Sequence, residues 1–352
     1  MRTTPRENIT VISNQASEEL GRKIAASLQL PFTSVIRKQF KDGEIFHQLP
    51  VQDIDGKDVI IVGATHNDEA HQELLDLIDG AQHWDSASVN VVVPYLGYST
   101  MERAKPESGE IPKGITRTRQ IFRARPDHVT FVDLHSEAVL NAHRGDVRTK
   151  HIQTEKLVAA KIRSTIEEIG MDIHDIVLVS PDYGRSKWVS RIAELLNVSH
   201  TAADKDRFAH DQMMVGAVSA VVKDKIAIIC DDMIRTGGSI TQTADRCREA
   251  GARDVMLMAT HLVLAGNARE KIARCGALKV IGADTFPGIE SDDVVEVYSV
   301  ADSVADALSV HLNIPDHPTD EERPSSSEWR NRVVNLGSRI KKRLIERTRR
   351  AA

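Results

Sequence analysis

Apolar residues fall in short runs that alternate with longer amphipathic stretches over most of the chain. Residues 9–13, 58–63, 88–93 and 128–132 are such runs, rich in Val and Ile and too short for helices, and they predict buried strands. Between them, 17–28, 69–83 and 114–123 place apolar residues at helical spacing. Ser17 reads as an N-cap, with Glu18 and Glu19 in the first turn behind it. The alternation then starts again. Helices are predicted over 154–169, 186–196, 240–250 and 304–312, and strands over 176–180, 200–203, 226–230, 255–260, 278–283 and 294–299. Short strands alternating with helices imply an α/β fold, a mostly parallel sheet with helices on both faces. Because the pattern runs twice, two similar domains are expected, 1–150 and 151–312, with a boundary near 145–155.

The segments between these elements carry the unusual residues. Asp42-Gly43 is a turn signal, read as a hairpin tip between two strands. Residues 104–113 contain Pro106, Gly109 and Pro112 and read as a mobile loop; 204–215 are charged and without periodicity, also a loop. Residues 313–352 form a linker and a basic tail. The tail's partial apolar stripe fits a helix docked on a partner subunit or left frayed, and its Lys341-Lys342-Arg343 run fits an anionic-ligand patch. With 352 residues there is room for two cores, and 4% aromatic content makes those cores aliphatic. A net charge of −5 argues against a nucleic-acid-coating protein. Cys230, Cys247 and Cys275 lack metal or disulfide spacing, and no apolar run reaches membrane-spanning length, so a cytoplasmic protein is expected.

One stretch concentrates the chemistry. The apolar run at 226–230 leads into Asp231 and Asp232, then into Thr236-Gly237-Gly238-Ser239, which open a helical pattern. Glycines let backbone N–H groups converge, and a helix N-terminus adds donors without intrahelical partners, so this is an anion cradle. Paired acids beside it suit a sugar phosphate. The acids accept hydrogen bonds from ribose hydroxyls while the loop holds the phosphate.

Asp231-Asp232 followed by Thr236-Gly237-Gly238-Ser239 resembles the ribose-phosphate loop of the phosphoribosyltransferase fold, which also contains the ribose-phosphate diphosphokinases. Four further stretches resemble the diphosphokinases, in order. Phe40-x-Asp42-Gly43-Glu44-Ile45 is similar to their nucleotide-contacting hairpin. Asp133-Leu134-His135-Ser136 resembles a turn whose His binds magnesium, and Ser180-Pro181-Asp182-x-Gly184 one whose Asp contacts metal and ribose. Lys205-x-Arg207 resembles the mobile catalytic loop. The resemblance spans residues 8–312. It implies diphosphoryl transfer from Mg-ATP to the anomeric hydroxyl of ribose 5-phosphate, with AMP leaving. Lys205 and Arg207 would be catalytic. Phe40, Asp42, Glu44, Arg103 and His135 would bind ATP. Asp182, Asp231, Asp232, Arg235, Thr236, Gly237, Gly238 and Ser239 would bind the ribose phosphate, and His135 and Asp182 would hold Mg²⁺. A homo-oligomer, dimer to hexamer, assembled through the N-terminal domains is also implied.

Two departures stand out. Thr100-Met101-Glu102-Arg103 replaces the Arg-Gln-Asp-Arg of common bacterial members, and Gly109-Glu110-Ile111 is more like the plant-type branch. Base selectivity should therefore be relaxed and phosphate activation weak. Arg235 stands where the family usually has Asp. It either points to solvent or meets an extra phosphate on a larger acceptor such as ADP-ribose. A non-catalytic regulatory homologue should have lost the metal and loop residues, yet His135, Asp182, Lys205 and Arg207 are all present.

Overall fold

The computed structural model describes residues 4–142, 145, 147–203 and 221–315. These fall into two compact units. The first holds 4–153, 284–288 and 299–315, and the second the rest. The predicted helix at 304–312, assigned above to the second domain, belongs to the first unit.

In the first unit the strands are β1 (Ile9–Ser13), β4 (Asp58–Val62), β5 (Ser88–Val93), β6 (His128–Val132) and β7 (Arg148–Ile152). They form one parallel sheet in the order β1-β4-β5-β6-β7, and Phe32 bridges Val11 in parallel on the outer side of β1. Helices α2 (Asp68–His83) and α3 (Lys113–Arg123) bury Leu74, Leu77, Ile78, Ile121 and Phe122 against Val59, Ile61, Val91 and Phe131 of one face. Helix α1 (Glu18–Leu28) packs with the helix Ala301–Leu312, and Ser27 Oγ donates to Asp302 Oδ1 at 2.7 Å. Ser17 does precede α1, but its side chain does not cap it. Asn14 Oδ1 accepts from Ser17 N instead, and Ser17 Oγ accepts from Ala64 N.

The hairpin is present as β2 (Ile36–Gln39) and β3 (Ile45–Gln48), antiparallel, with Gly43 at φ +96° in the tip. Strand β7 is absent from the sequence reading. Its Arg-Thr-Lys-His-Ile run is polar because it is the sheet edge, where charged side chains blunt unwanted pairing.

The second unit has a parallel sheet in the order β13-β12-β11-β10-β8-β9. Its strands are β8 (Ile176–Ser180), β9 (Ser199–Ala202), β10 (Ile226–Ile234), β11 (Asp254–Leu262), β12 (Val280–Ala283) and β13 (Val295–Tyr298). Helices α4 (Glu155–Glu168) and α5 (Ser186–Leu196) pack together, while α6 (Gly238–Glu249) and α7 (Ala268–Cys275) bury Ile240, Ala244, Cys247 and Ile272 on the face of Ala227, Ile229, Val255 and Leu257. Helix α7 was not foreseen, since only Ala268 and Ile272 of its eight residues are buried and the rest are mostly charged. Counting Phe32 as a strand position, both sheets share one order. The chain's first strand is flanked by the second on one side and by all later strands on the other. Each unit therefore has one point where the winding reverses, β1/β4 in the first and β8/β10 in the second, and such points are where open parallel sheets bind ligands. Among the described residues no helix is long and apolar enough to cross a membrane.

A titratable contact joins the helix Ala301–Leu312 to the first unit's sheet. The His128 and His311 rings stack 3.8 Å apart, and His311 Nε2 lies 3.0 Å from Asn90 Oδ1. Burial, with the charges of His311, Arg148 and Lys150, pushes His128 down to about 4; burial and Arg148 also lower His311, against Asp127 and Asp58. A base whose folded pKa is depressed binds fewer protons in the folded state. The stabilisation is therefore complete above the unfolded value near 6.5 and is lost as pH falls toward 4. We expect about 2 kcal/mol of stability, after screening, to disappear over that window. Urea unfolding of the parent and of His128→Asn at pH 7 and pH 4.5 checks this, and equal pH slopes would refute it.

Candidate active site

In the second unit the crevice at β8/β10 is built from two turns. Strand β8 runs into Pro181-Asp182-Tyr183-Gly184-Arg185 and then α5. Ser180 Oγ donates to the Asp182 carbonyl at 2.6 Å, and Arg185 N donates to Asp182 Oδ1 at 3.1 Å, so the exposed Asp182 carboxylate is held at the mouth. Strand β10 continues four residues beyond the predicted Cys230, pairing Met233 with His261 and Ile234 with Leu262 of β11. The two acids are therefore strand residues and face opposite sides of the sheet, rather than standing together after its end.

Their environments differ accordingly. Asp232 is 1% exposed, and Arg185 meets its carboxylate in a two-point pair, Nε to Oδ1 at 3.0 Å and Nη2 to Oδ2 at 2.6 Å. Asp231 is half-buried and its Oδ1 accepts from Asp232 N at 2.8 Å. Burial and the adjacent Asp232 push the Asp231 carboxyl well above the usual carboxylate range.

The cradle follows. Ala265 N donates to the Arg235 carbonyl at 2.8 Å, and Lys271 Nζ donates to the Thr236 carbonyl at 3.2 Å, which fixes the loop from the α7 side. Gly237 stands at φ +74°, a conformation glycine takes without a Cβ penalty, and serves as N-cap to α6. Thr236 and Ser239 are exposed at the mouth, Gly238 is half-buried, and Arg235 is exposed.

In the first unit the corresponding point is filled by its own side chains. Asn14 Nδ2 donates to the carbonyls of Ala64 (2.9 Å) and Ala70 (3.1 Å). Glu73 accepts from Gln15 N and from Arg37 Nε, the latter at 2.6 Å, and Arg37 Nη2 donates to the Ser13 carbonyl at 2.6 Å. Arg37 lies on β2, so this network also anchors the hairpin. At the tip Phe40 is 42% exposed and edge-on to Phe46, and Asp42 and Glu44 are exposed, with Asp42 Oδ1 accepting from Glu44 N at 3.2 Å. Arg103 is exposed, 3.7 Å from Glu102.

The turn after β6 puts Asp133 at φ +42°, an uncommon conformation for a residue with a side chain, and presents His135 half-buried. His151 Nε2 accepts from Leu134 N at 2.9 Å, so its Nδ1 carries the proton and donates to Glu137 at 2.8 Å. Lys205 and Arg207 lie outside the described residues, as does the basic tail. Among the described residues no three His, Cys, Asp or Glu side chains gather as a metal cluster. An exposed carboxylate such as Asp182 suits a hard cation that arrives on a polyphosphate and needs few protein ligands.

Residues 9–113 match the family described as the N-terminal domain of ribose phosphate pyrophosphokinase, and 148–287 match the phosphoribosyl transferase domain. Ribose-phosphate pyrophosphokinase 1 of Streptococcus pneumoniae is 30% identical over 321 residues, 88% of this chain and 96% of its own. The chain belongs to the ribose-phosphate pyrophosphokinase family. The Fusobacterium nucleatum ribose-phosphate pyrophosphokinase is 29% identical over 86% of this chain and 94% of its own. The crystal structure of phosphoribosylpyrophosphate synthetase from Mycobacterium smegmatis superposes with a TM-score of 0.74 at 27% identity, covering 87% of this chain and 99% of that one. As a member of that family the chain is an enzyme of the transferase class, and its two parallel-sheet units are the family's two domains. Sequence reasoning missed Arg185 and Lys271. The first was open to detection, since a guanidinium directly after Ser-Pro-Asp-x-Gly and before a helix has nearby acids to meet.

Proposed function

We propose that the protein transfers the diphosphoryl group of Mg-ATP to the anomeric hydroxyl of ribose 5-phosphate, giving phosphoribosyl diphosphate and AMP. The observation that carries this reading is the crevice of the second unit. An accessible acid, Asp231, and an exposed one, Asp182, stand at the winding reversal beside a glycine cradle that opens a helix. The cradle N–H groups of Gly237, Gly238 and Ser239, with the Thr236 and Ser239 hydroxyls, take the 5-phosphate. Asp231 and Asp182 take ribose hydroxyls and orient the anomeric oxygen for in-line attack on the β-phosphorus. The hairpin residues Phe40, Asp42 and Glu44, with Arg103 and His135, serve the nucleotide. Bound Mg²⁺ would neutralise polyphosphate charge; Asp182 is the candidate metal ligand of the second unit and His135 that of the first. Lys205 and Arg207 supply cations to the equatorial oxygens of the transferring group.

The ribose-phosphate relatives support ribose 5-phosphate as acceptor, and no observation favours ADP-ribose. The three cysteines are free, which suits a cytoplasmic enzyme, and we place it there as a homo-oligomer of two to six chains, a state that light scattering measures. The test of the activity is mass spectrometry of products from ATP, Mg²⁺ and ribose 5-phosphate, with ADP-ribose as the parallel acceptor. Phosphoribosyl diphosphate and AMP are expected with the first. A diphosphorylated product only with ADP-ribose, or no AMP with either, would overturn the reading.

A further inference from the structure

We propose that Arg185 is a positioning residue that divides the acid pair into two roles, Asp232 as its buried counter-charge and Asp231 as the acid that meets the sugar; this rests on the acceptor reading above. Three nitrogens of Arg185 meet two of the acids, and a further bond reaches the third. The Arg185 N–H donates to Asp182 Oδ1 at 3.1 Å, its Nε and Nη2 meet the two Asp232 oxygens, and Asp232 N in turn donates to Asp231 Oδ1 at 2.8 Å. One residue thus links the turn after β8 to strand β10 across the crevice and touches or backs all three acids.

The geometry leaves the guanidinium little freedom. Its backbone precedes α5, with Val189 N donating to the Arg185 carbonyl at 3.0 Å, and its side chain is 14% exposed. Two parallel N–H donors on one carboxylate fix direction as well as charge, which a lysine ammonium does not. The opposite facing of consecutive strand residues supplies the division. With Asp232 turned to Arg185 and nearly inaccessible, Asp231 is the acid of the pair with exposed surface in the crevice.

Without the guanidinium, the nearly inaccessible Asp232 carboxylate would lose the two donors that meet its two oxygens, beside a second acid. That arrangement relaxes by taking up a proton or turning the side chain. Either change moves the Asp232 N–H that holds Asp231, while the Asp182 contact, made by the backbone N–H of residue 185, is kept. The consequence falls on sugar binding, while the nucleotide residues of the other unit are untouched.

The test uses the full-length protein and titration calorimetry with ribose 5-phosphate alone, beside steady-state kinetics with ATP and thermal unfolding. Arg185→Lys is expected to weaken ribose 5-phosphate binding by about tenfold, and Arg185→Met by more, with KM for ATP unchanged. The double variant Arg185→Met/Asp232→Asn, which removes both charges of the pair, is expected to regain most of the lost affinity. It also serves if Arg185→Met alone fails to fold. Parental affinity in Arg185→Lys and in the folded Met variant would overturn the assignment. So would equal losses for sugar and ATP, or a double variant no better than the single one. Parent protein that binds ribose 5-phosphate but releases no AMP would refute the activity and leave this test standing on affinity. Parent protein that binds no ribose 5-phosphate would overturn both.

Discussion

Asp231→Asn is expected to lower kcat/KM for ribose 5-phosphate by about 10²–10³-fold with the fold intact. Asn keeps the volume of Asp and retains an oxygen to accept the Asp232 N–H, so the strand and its 2.8 Å contact survive. What it loses is the charge and one acceptor, replaced by an NH₂ that points donor hydrogens at donor hydroxyls. A hydrogen bond to a charged group is worth roughly 1.5–3 kcal/mol, and losing one while opposing another reaches the stated range. The direction of the Asp231 pKa adds weight. Burial and Asp232 both oppose its charge, and sugar hydroxyls are the donors that would favour that charge on binding. Steady-state kinetics with varied ribose 5-phosphate, alongside thermal unfolding, decides it. Near-parental kcat/KM would show that Asp231 does not face the sugar.

Much of this was legible in the chain because the signals are local. The bounds of β1, β5, β6, β8 and α5 coincide with their apolar runs, since strands buried on both faces read as continuous Val and Ile. The cradle was legible for a related reason, as Gly237 answers a φ requirement that few other residues meet. What escaped detection depends on neighbours distant in sequence. Strand β7 is polar because it lies at an edge, and α7 buries too little to show a period. The run at 226–230 ends where apolar residues end, yet β10 continues through Asp231 and Asp232 because β11 is long enough to pair with it. That extension turns the two acids to opposite sides, and only the fold could show it. The pairing of Asp232 with Arg185 spans 47 residues, and the helix Ala301–Leu312 joins the first unit by packing against α1 far upstream.

Glu296→Gln is expected to cost about 3–5 kcal/mol of stability in the second unit, because it removes the carboxylate that pairs with two buried cations. Glu296 on β13 pairs through one oxygen with Lys161 of α4 and through the other with Lys279, the residue before β12. The three residues are 8%, 5% and 1% exposed, so water screens little of this charge. Burial alone would raise the Glu296 carboxyl. The two ammonium groups more than offset that and hold it below the usual range, so its share of the stability is present above the unfolded carboxylate value and fades as pH falls through the lowered one. Replacing the carboxylate with an amide keeps the shape and deletes the only one of the three charges that is negative. The two ammonium groups then lose the carboxylate that faces them both inside the core. The companion variant Glu296→Gln/Lys279→Met separates charge from packing. With one cation replaced by an apolar chain of similar length, more than half of the loss should be recovered, since buried ion groups exchange for hydrophobic ones at small net cost. Urea unfolding of parent, single and double variants at pH 7 provides the measurement. A single variant within about 1 kcal/mol of the parent would mean that Glu296 does not hold the two lysines in the folded enzyme.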